Sequence, residues 1–135
     1  MKFSVEMLGI YLCILITLMS LTEIPPNLWG PSGWIFLHYV TFGFRECDKE
    51  DYTHFFNYLG NVIPCRFCRE SYKQILETFP PDVSSREALI KWLWDIHNKV
   101  NDKTKRSYNN ASLEDINKRY GSYLKRGCGS CNKTK

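Results

Sequence analysis

Leu89, Trp92, Leu93, Ile96 and Val100 recur three or four residues apart, which is the period of one apolar face of an α-helix. A strand would need alternation at every second residue. No stretch beyond the N-terminal apolar segment sustains that alternation, so the chain is expected to be all-α. Ser84-Ser85-Arg86-Glu87 reads as a capping box that opens the helix carrying this stripe.

The other elements follow from the same period and from punctuation by proline and glycine. A first helix is predicted over about 31–42, with Ser32 as its cap, Trp34, Leu37, His38 and Thr41 on one face, and Gly43 as its stop. Asp48 is a good N-cap for a second helix to about Val62, with Tyr52, Phe55, Phe56 and Leu59 at helical spacing. Pro64 suits the first turn of a third helix, which carries Cys65 and Cys68 at its start and ends at Phe79-Pro80-Pro81. Residues 102–110 read as a polar loop, and residues 112–124 as a short fifth helix. The predicted architecture is a four-helix bundle plus a short fifth helix, preceded by an N-terminal hydrophobic anchor.

With 135 residues the chain has room for one domain. Residues 7–21 are apolar or small and uncharged, between Lys2 and Glu23-Ile24-Pro25-Pro26. Fifteen such residues fall short of the roughly 20 needed to span a bilayer. They fit a signal-peptide core, a signal-anchor lengthened by Val5 and Ile24, or a buried core helix. No small-x-small cleavage site follows, which favours a retained, single-pass anchor. The expected organisation is anchor and linker over 1–26, a helical domain over 27–126, and a flexible tail over 127–135. The formal charge of +4 is uneven, with ten Lys/Arg against three Asp/Glu from Lys99 onward. Such a segment can face solvent, nucleic acid, a membrane or a cofactor phosphate. No nucleic-acid partner is expected, and Gly-rich phosphate loops are absent. The sequons at Asn110 and Asn132 would accept glycans only in a luminal setting.

Four of the six cysteines form two Cys-x-x-Cys pairs, Cys65/Cys68 and Cys128/Cys131. At a helix start the first pair can close a disulfide within one turn. The positive end of the helix dipole, with Arg66 and Arg69 nearby, favours a thiolate there, and the thiolate is the attacking species in disulfide exchange. Zinc is the competing use of four thiolates, but 59 residues separate the pairs, well beyond the spacing of a zinc ribbon at about 15–20. The second pair lies among glycines and serine near the chain end, where a mobile dithiol can visit both the first pair and an outside substrate. Cys13, in the apolar segment, reads as inert, and Cys47 has no assignment. His97, Asn98 and Asn101 share one side of the Trp92-to-Val100 helix. Buried polar groups need partners, and with His38 upstream they suggest the wall of a pocket for a planar ligand. No Ser/His/Asp or paired-carboxylate arrangement points to hydrolysis.

Trp29-Gly30-Pro31-Ser32-Gly33-Trp34 with Leu37-His38, then Pro64-Cys65-Arg66-Phe67-Cys68, then His97-Asn98-Lys99-Val100-Asn101 resemble, in order and spacing, the motifs of the Erv/ALR family of FAD-dependent sulfhydryl oxidases. The resemblance covers about Trp29 to Leu124. It implies a helical bundle holding FAD, with Cys68 next to the flavin and Cys65 as the interchange cysteine that meets the incoming thiol. It implies that Gly30, Trp34, His38, His97, Asn98, Val100 and Asn101 line the cofactor pocket, with Lys103, Arg106 and Tyr108 toward the adenosine or phosphate part. Cys128 and Cys131 are similar to the C-terminal shuttle pairs of some members. Electrons would pass from protein dithiols through the shuttle and Cys65/Cys68 to FAD and then to molecular oxygen, giving hydrogen peroxide. A homodimer through the first and second helices is implied as well. Many members join the third helix to the fourth by a disulfide. The corresponding segments here, near Thr78 and Trp94, hold no cysteine, and Trp94 is expected to pack in its place. The alternative is a membrane-anchored, non-enzymatic domain with a structural zinc or disulfide site.

Overall fold

The computed structural model describes residues 5–20, 23–105, 111–122 and 124. Six α-helices are found among them, α1 Val5–Ser20, α2 Pro26–Phe42, α3 Lys49–Val62, α4 Arg66–Thr78, α5 Arg86–Thr104 and α6 Leu113–Gly121, with a 3-10 turn at Glu46–Asp48. No strand occurs among the described residues, as the absence of alternation predicts. Helix α2 packs on α5 and α3 on α4, while α6 lies across α2 and α5.

The stripe of α5 is the spine of the core. Leu89, Trp92, Leu93 and Ile96 are buried with Phe44, Phe56, Tyr72 and Ile75. A second cluster, Phe42, Ile90, Ile116 and Tyr120, fills the angle between α2, α5 and α6. Gly60 allows α3 and α4 to approach. A Cβ there would lie 3.0 Å from the ring of Tyr72, and that ring is held by a bond from its hydroxyl to the Phe56 carbonyl at 2.9 Å.

Helix ends depart from the sequence reading in instructive ways. Helix α2 begins at Pro26, and Pro31 lies inside it, because Pro26 is itself preset for the first helical position. Ser85, not Ser84, caps α5 by accepting from the Ala88 N–H at 3.0 Å. The reciprocal capping box occurs instead at Ser112 and Asp115 of α6. Asp48 stands at the N-cap of α3 but makes no cap bond, since Arg45 holds its carboxylate. Residues 102–104 extend α5 into the expected loop, and Lys105 closes it in the left-handed region at φ 50°. Trp94 lines a shallow cavity with Phe79 at the end of α4, but makes its polar bond elsewhere. Its indole donates to the Ala111 carbonyl at 2.8 Å and ties α5 to the approach to α6. The indole of Trp92 joins the end of α4 instead, donating to the Phe79 carbonyl at 3.1 Å.

The single-pass anchor is not supported. Helix α1 has 16 residues, about 24 Å at 1.5 Å per residue, against a hydrocarbon core of roughly 30 Å. No described helix is long and apolar enough to cross a membrane. The buried-core alternative fails too, since Leu8, Ile10, Leu12 and Ile14 of α1 are all more than half exposed.

Candidate redox and cofactor site

Pro64 and the extended Cys65 break the chain between α3 and α4, which leaves Cys65 as the N-cap of α4. Cys65 and Cys68 are joined as a disulfide, with Cα atoms 5.2 Å apart, and the Cys65 Sγ accepts from the Cys68 N–H at 3.2 Å. Cys65 is 8% exposed and Cys68 half-buried, while Phe67 between them is 72% exposed under the Arg66 guanidinium. Cys13 and Cys47 are exposed and lie outside the pair.

Helices α2 and α5 bring together Trp34, His38 and His97. The rings of Trp34 and His97 stack with centroids 3.9 Å apart and planes 9° apart. The His38 Nε2 and His97 Nδ1 share a hydrogen bond at 3.3 Å. Tyr120, which the sequence reading left out, stacks on the other side of His38 at 4.9 Å. Its only signal in sequence is its place four residues after Ile116 on the apolar face of a short helix. His38 is fully buried, and its Nδ1 has no hydrogen-bond partner among the described residues. Loss of hydration, then the neighbouring His97 and Arg119, lower its pKa to about 4. Burial also lowers His97 to about 4. Both rings are therefore neutral at pH 7, and one of them supplies the shared proton.

The remaining positions of the predicted wall are spread along α2 and α5. Asn98, Val100 and Asn101 are half-buried, and Val100 packs on the main core. Lys103 is exposed, and its ammonium donates to the Ser71 hydroxyl at 3.0 Å, one turn beyond Cys68 on α4. That bond sets the end of α5 beside the disulfide-bearing helix. Gly30 faces open space, with nothing within 4 Å of where a Cβ would stand, so no close approach requires glycine there. Arg106, Tyr108, Cys128 and Cys131 lie outside the described residues. The zinc alternative needs Cys65 and Cys68 as separate thiolates, whereas here they are bonded to each other.

Partly exposed ring faces, two amides and an ammonium make a donor set suited to a flat heteroaromatic ligand with a polar or anionic extension. The neutral histidine pair also carries a pH signature. An unfolded chain protonates both rings near pH 6.5, whereas the folded one resists down to about 4. Unfolding therefore takes up protons in this window, and stability falls as pH drops through it. Denaturant unfolding should show about 2 kcal/mol lost per histidine between pH 7 and pH 5. An unchanged midpoint over that range would contradict the buried neutral pair.

A model of the Erv1 / Alr family matches residues 31–121. A probable FAD-linked sulfhydryl oxidase of Acanthamoeba polyphaga mimivirus is 45% identical over 83 residues, covering 56% of this chain and 58% of the relative. The mitochondrial FAD-linked sulfhydryl oxidase ERV1 of Saccharomyces cerevisiae is 31% identical over 88 residues, covering 61% of this chain and 47% of the relative. The chain thus spans 58% and 47% of the lengths of these two relatives. The crystal structure of the FAD-binding domain of Saccharomyces cerevisiae Erv1 superposes with a TM-score of 0.68 at 26% identity, covering 74% of this chain and 97% of that one. With the match running from the first turns of α2 to the last residue of α6, the chain belongs to the Erv1 / Alr family.

Proposed function

We propose that this chain is an FAD-linked thiol oxidase that forms disulfide bonds in protein substrates, with Cys65/Cys68 as its redox centre. The observation that carries the reading is a disulfide at the N-cap of α4, tied through the Lys103–Ser71 bond to the helix that bears His97, Asn98 and Asn101. Membership of the family and the names of the relatives support it. The working unit is residues 27–126, with 127–135 as a redox tail.

In this reading a substrate thiolate attacks the Cys65 Sγ, and the Cys65–Cys68 bond breaks. Cys68 leaves as a thiolate, next to the positive end of α4. A second substrate thiol then attacks the mixed disulfide, releasing the oxidised product and returning Cys65 as a thiol. The pair has gained two electrons. FAD, when bound, supplies the path for those electrons to molecular oxygen, with hydrogen peroxide as the product.

The partly exposed Trp34 and His97 rings and the Asn98 and Asn101 amides are the groups that would meet the cofactor, while buried His38 holds His97 in place through their hydrogen bond. Trp34 and His97 hold the flat part of the cofactor and keep water away. Gly30, Asn98, Val100 and Asn101 line the pocket. Lys103 at the end of α5 is assigned to its adenosine or phosphate portion, and the resemblance gives Arg106 and Tyr108 the same role, in keeping with the basic charge of this part of the sequence.

Purified protein should absorb as a flavoprotein. The Cys68→Ser variant should retain the flavin and lose thiol-dependent oxygen consumption by at least a hundredfold. Undiminished consumption in that variant would overturn the assignment. Cys128/Cys131 serve as the shuttle in this scheme. The double variant Cys128→Ser, Cys131→Ser should oxidise dithiothreitol at the wild-type rate and a reduced protein about tenfold more slowly. Equal loss on both substrates would rule the shuttle out.

We also infer a homodimer through α2 and α3, whose outer faces expose Leu28, Ile35, Phe36, Tyr58 and Val62. Phe36 meets Phe55 edge-on across the two helices at 6.5 Å, which brings exposed apolar side chains of both helices to one side, as at an interaction surface. The Phe36→Glu variant should sediment as a monomer while its far-ultraviolet dichroism is unchanged. A monomeric wild-type chain at micromolar concentration would defeat the inference.

A further inference from the structure

Glu23 lies 43 residues before the first residue it holds, yet its carboxylate sits on the start of α4. The Oε2 atom accepts from the Arg66 N–H, the first N–H of that helix. The Oε1 atom pairs with the Arg69 guanidinium at 2.9 Å. Arg69 in turn donates to the Ile63 carbonyl at 2.7 Å. The Ile24 N–H donates to the Pro64 carbonyl at 2.8 Å, and the Trp29 indole donates to the Ile24 carbonyl at 3.1 Å. Residues 23–24 thus form a strap bonded to both chain neighbours of Cys65.

The same helix end receives the sulfur of Cys65, through the Cys68 N–H. A carboxylate and a sulfur therefore share the free N–H groups of one helix N-terminus. Such an end favours negative charge, but the benefit is limited to the first turn. A carboxylate already placed there takes part of it and repels a second anion. The hydrogen bond from the Arg66 N–H, then Arg69, holds the Glu23 pKa below its ordinary value, so the strap is charged at neutral pH.

We propose that Glu23 is a positioning residue that sets the acidity and reduction potential of the Cys65/Cys68 pair, by competing with the thiolate of the reduced pair, shared between the two sulfurs, for the N-terminus of α4. Reduction adds two electrons to the disulfide and yields two sulfurs that hold two protons, or one proton and one negative charge. Glu23 disfavours the charged form, so it raises the thiol pKa and favours the disulfide. Arg69 acts in the opposite sense. The inference rests on reading this pair as the redox centre.

The test compares Glu23→Gln, which keeps an oxygen for the Arg66 N–H and removes the charge, with Arg69→Gln, both in the full chain. Equilibrium with glutathione and the pH dependence of alkylation are read by mass spectrometry. Trypsin cuts after Arg66 and so separates Cys65 from Cys68. Glu23→Gln should lower the Cys65 pKa by about half a unit, within the range expected for one charge at a helix end. It should make the pair about threefold easier to reduce, ~14 mV by the two-electron relation. Arg69→Gln should move both quantities the other way. No shift in Glu23→Gln, or shifts of the same sign in both variants, would mean that the strap acts only through packing, and would overturn the proposal. Neither readout involves turnover. A wild-type chain that consumes no oxygen would defeat the oxidase reading while leaving the Glu23 result standing.

Discussion

The hydrogen bond between His38 and His97 is the contact around which the site is arranged. It joins α2 to α5 at a point where His38 is wholly out of water. A charged imidazole there would be costly, so both rings stay neutral, and the ring nitrogen facing away from the bond has to be satisfied by something else. Trp34 on one side and Tyr120 on the other hold the two imidazoles between flat faces. Helix α6 contributes Tyr120, and the second core cluster, with Ile90 and Phe42, holds α6 in place. The small fifth element of the bundle is thus the back wall of the histidine pair.

Much of this was legible in the sequence because it is periodic. The stripe on α5 and the face of Trp34, Leu37, His38 and Thr41 on α2 need only a period of 3.6 to be read, and both point inward as expected. The paired cysteines at a helix start were legible for the same reason, since Pro64 and the 3-residue spacing are local features. The end of α5 was harder. Polar Asp102 and Lys103 look like loop, yet the Lys103–Ser71 bond favours another turn of helix. Pro31 misled in the other direction, since a proline reads as a helix start and Pro26 had already provided one.

Long-range pairings left no trace in the pattern. Nothing in Glu23-Ile24-Pro25-Pro26 announces that the carboxylate lands on a helix more than forty residues on. The same is true of Trp94, whose indole N–H goes to Ala111 rather than to α4. The apolar N-terminal segment shows the converse limit. Hydropathy correctly marked residues that the core does not absorb, but helix length, which hydropathy alone does not fix, falls short of a bilayer.

The bridge between Cys65 and Cys68 closes a loop of only three residues in sequence. Disulfides stabilise folds chiefly by restricting the unfolded chain, and the restriction grows with the loop they close. A bridge this short restrains almost nothing beyond one helical turn. The long-range links from α4 to α5 are the hydrogen bonds of Trp92 and Lys103 and the shared core around Tyr72 and Ile75, which reducing agents do not touch. Among the described residues, then, the sulfur chemistry and the architecture are separate. The bond can open and close repeatedly while the scaffold keeps the same shape, and a strongly reducing medium would alter the oxidation state of this domain without unfolding it.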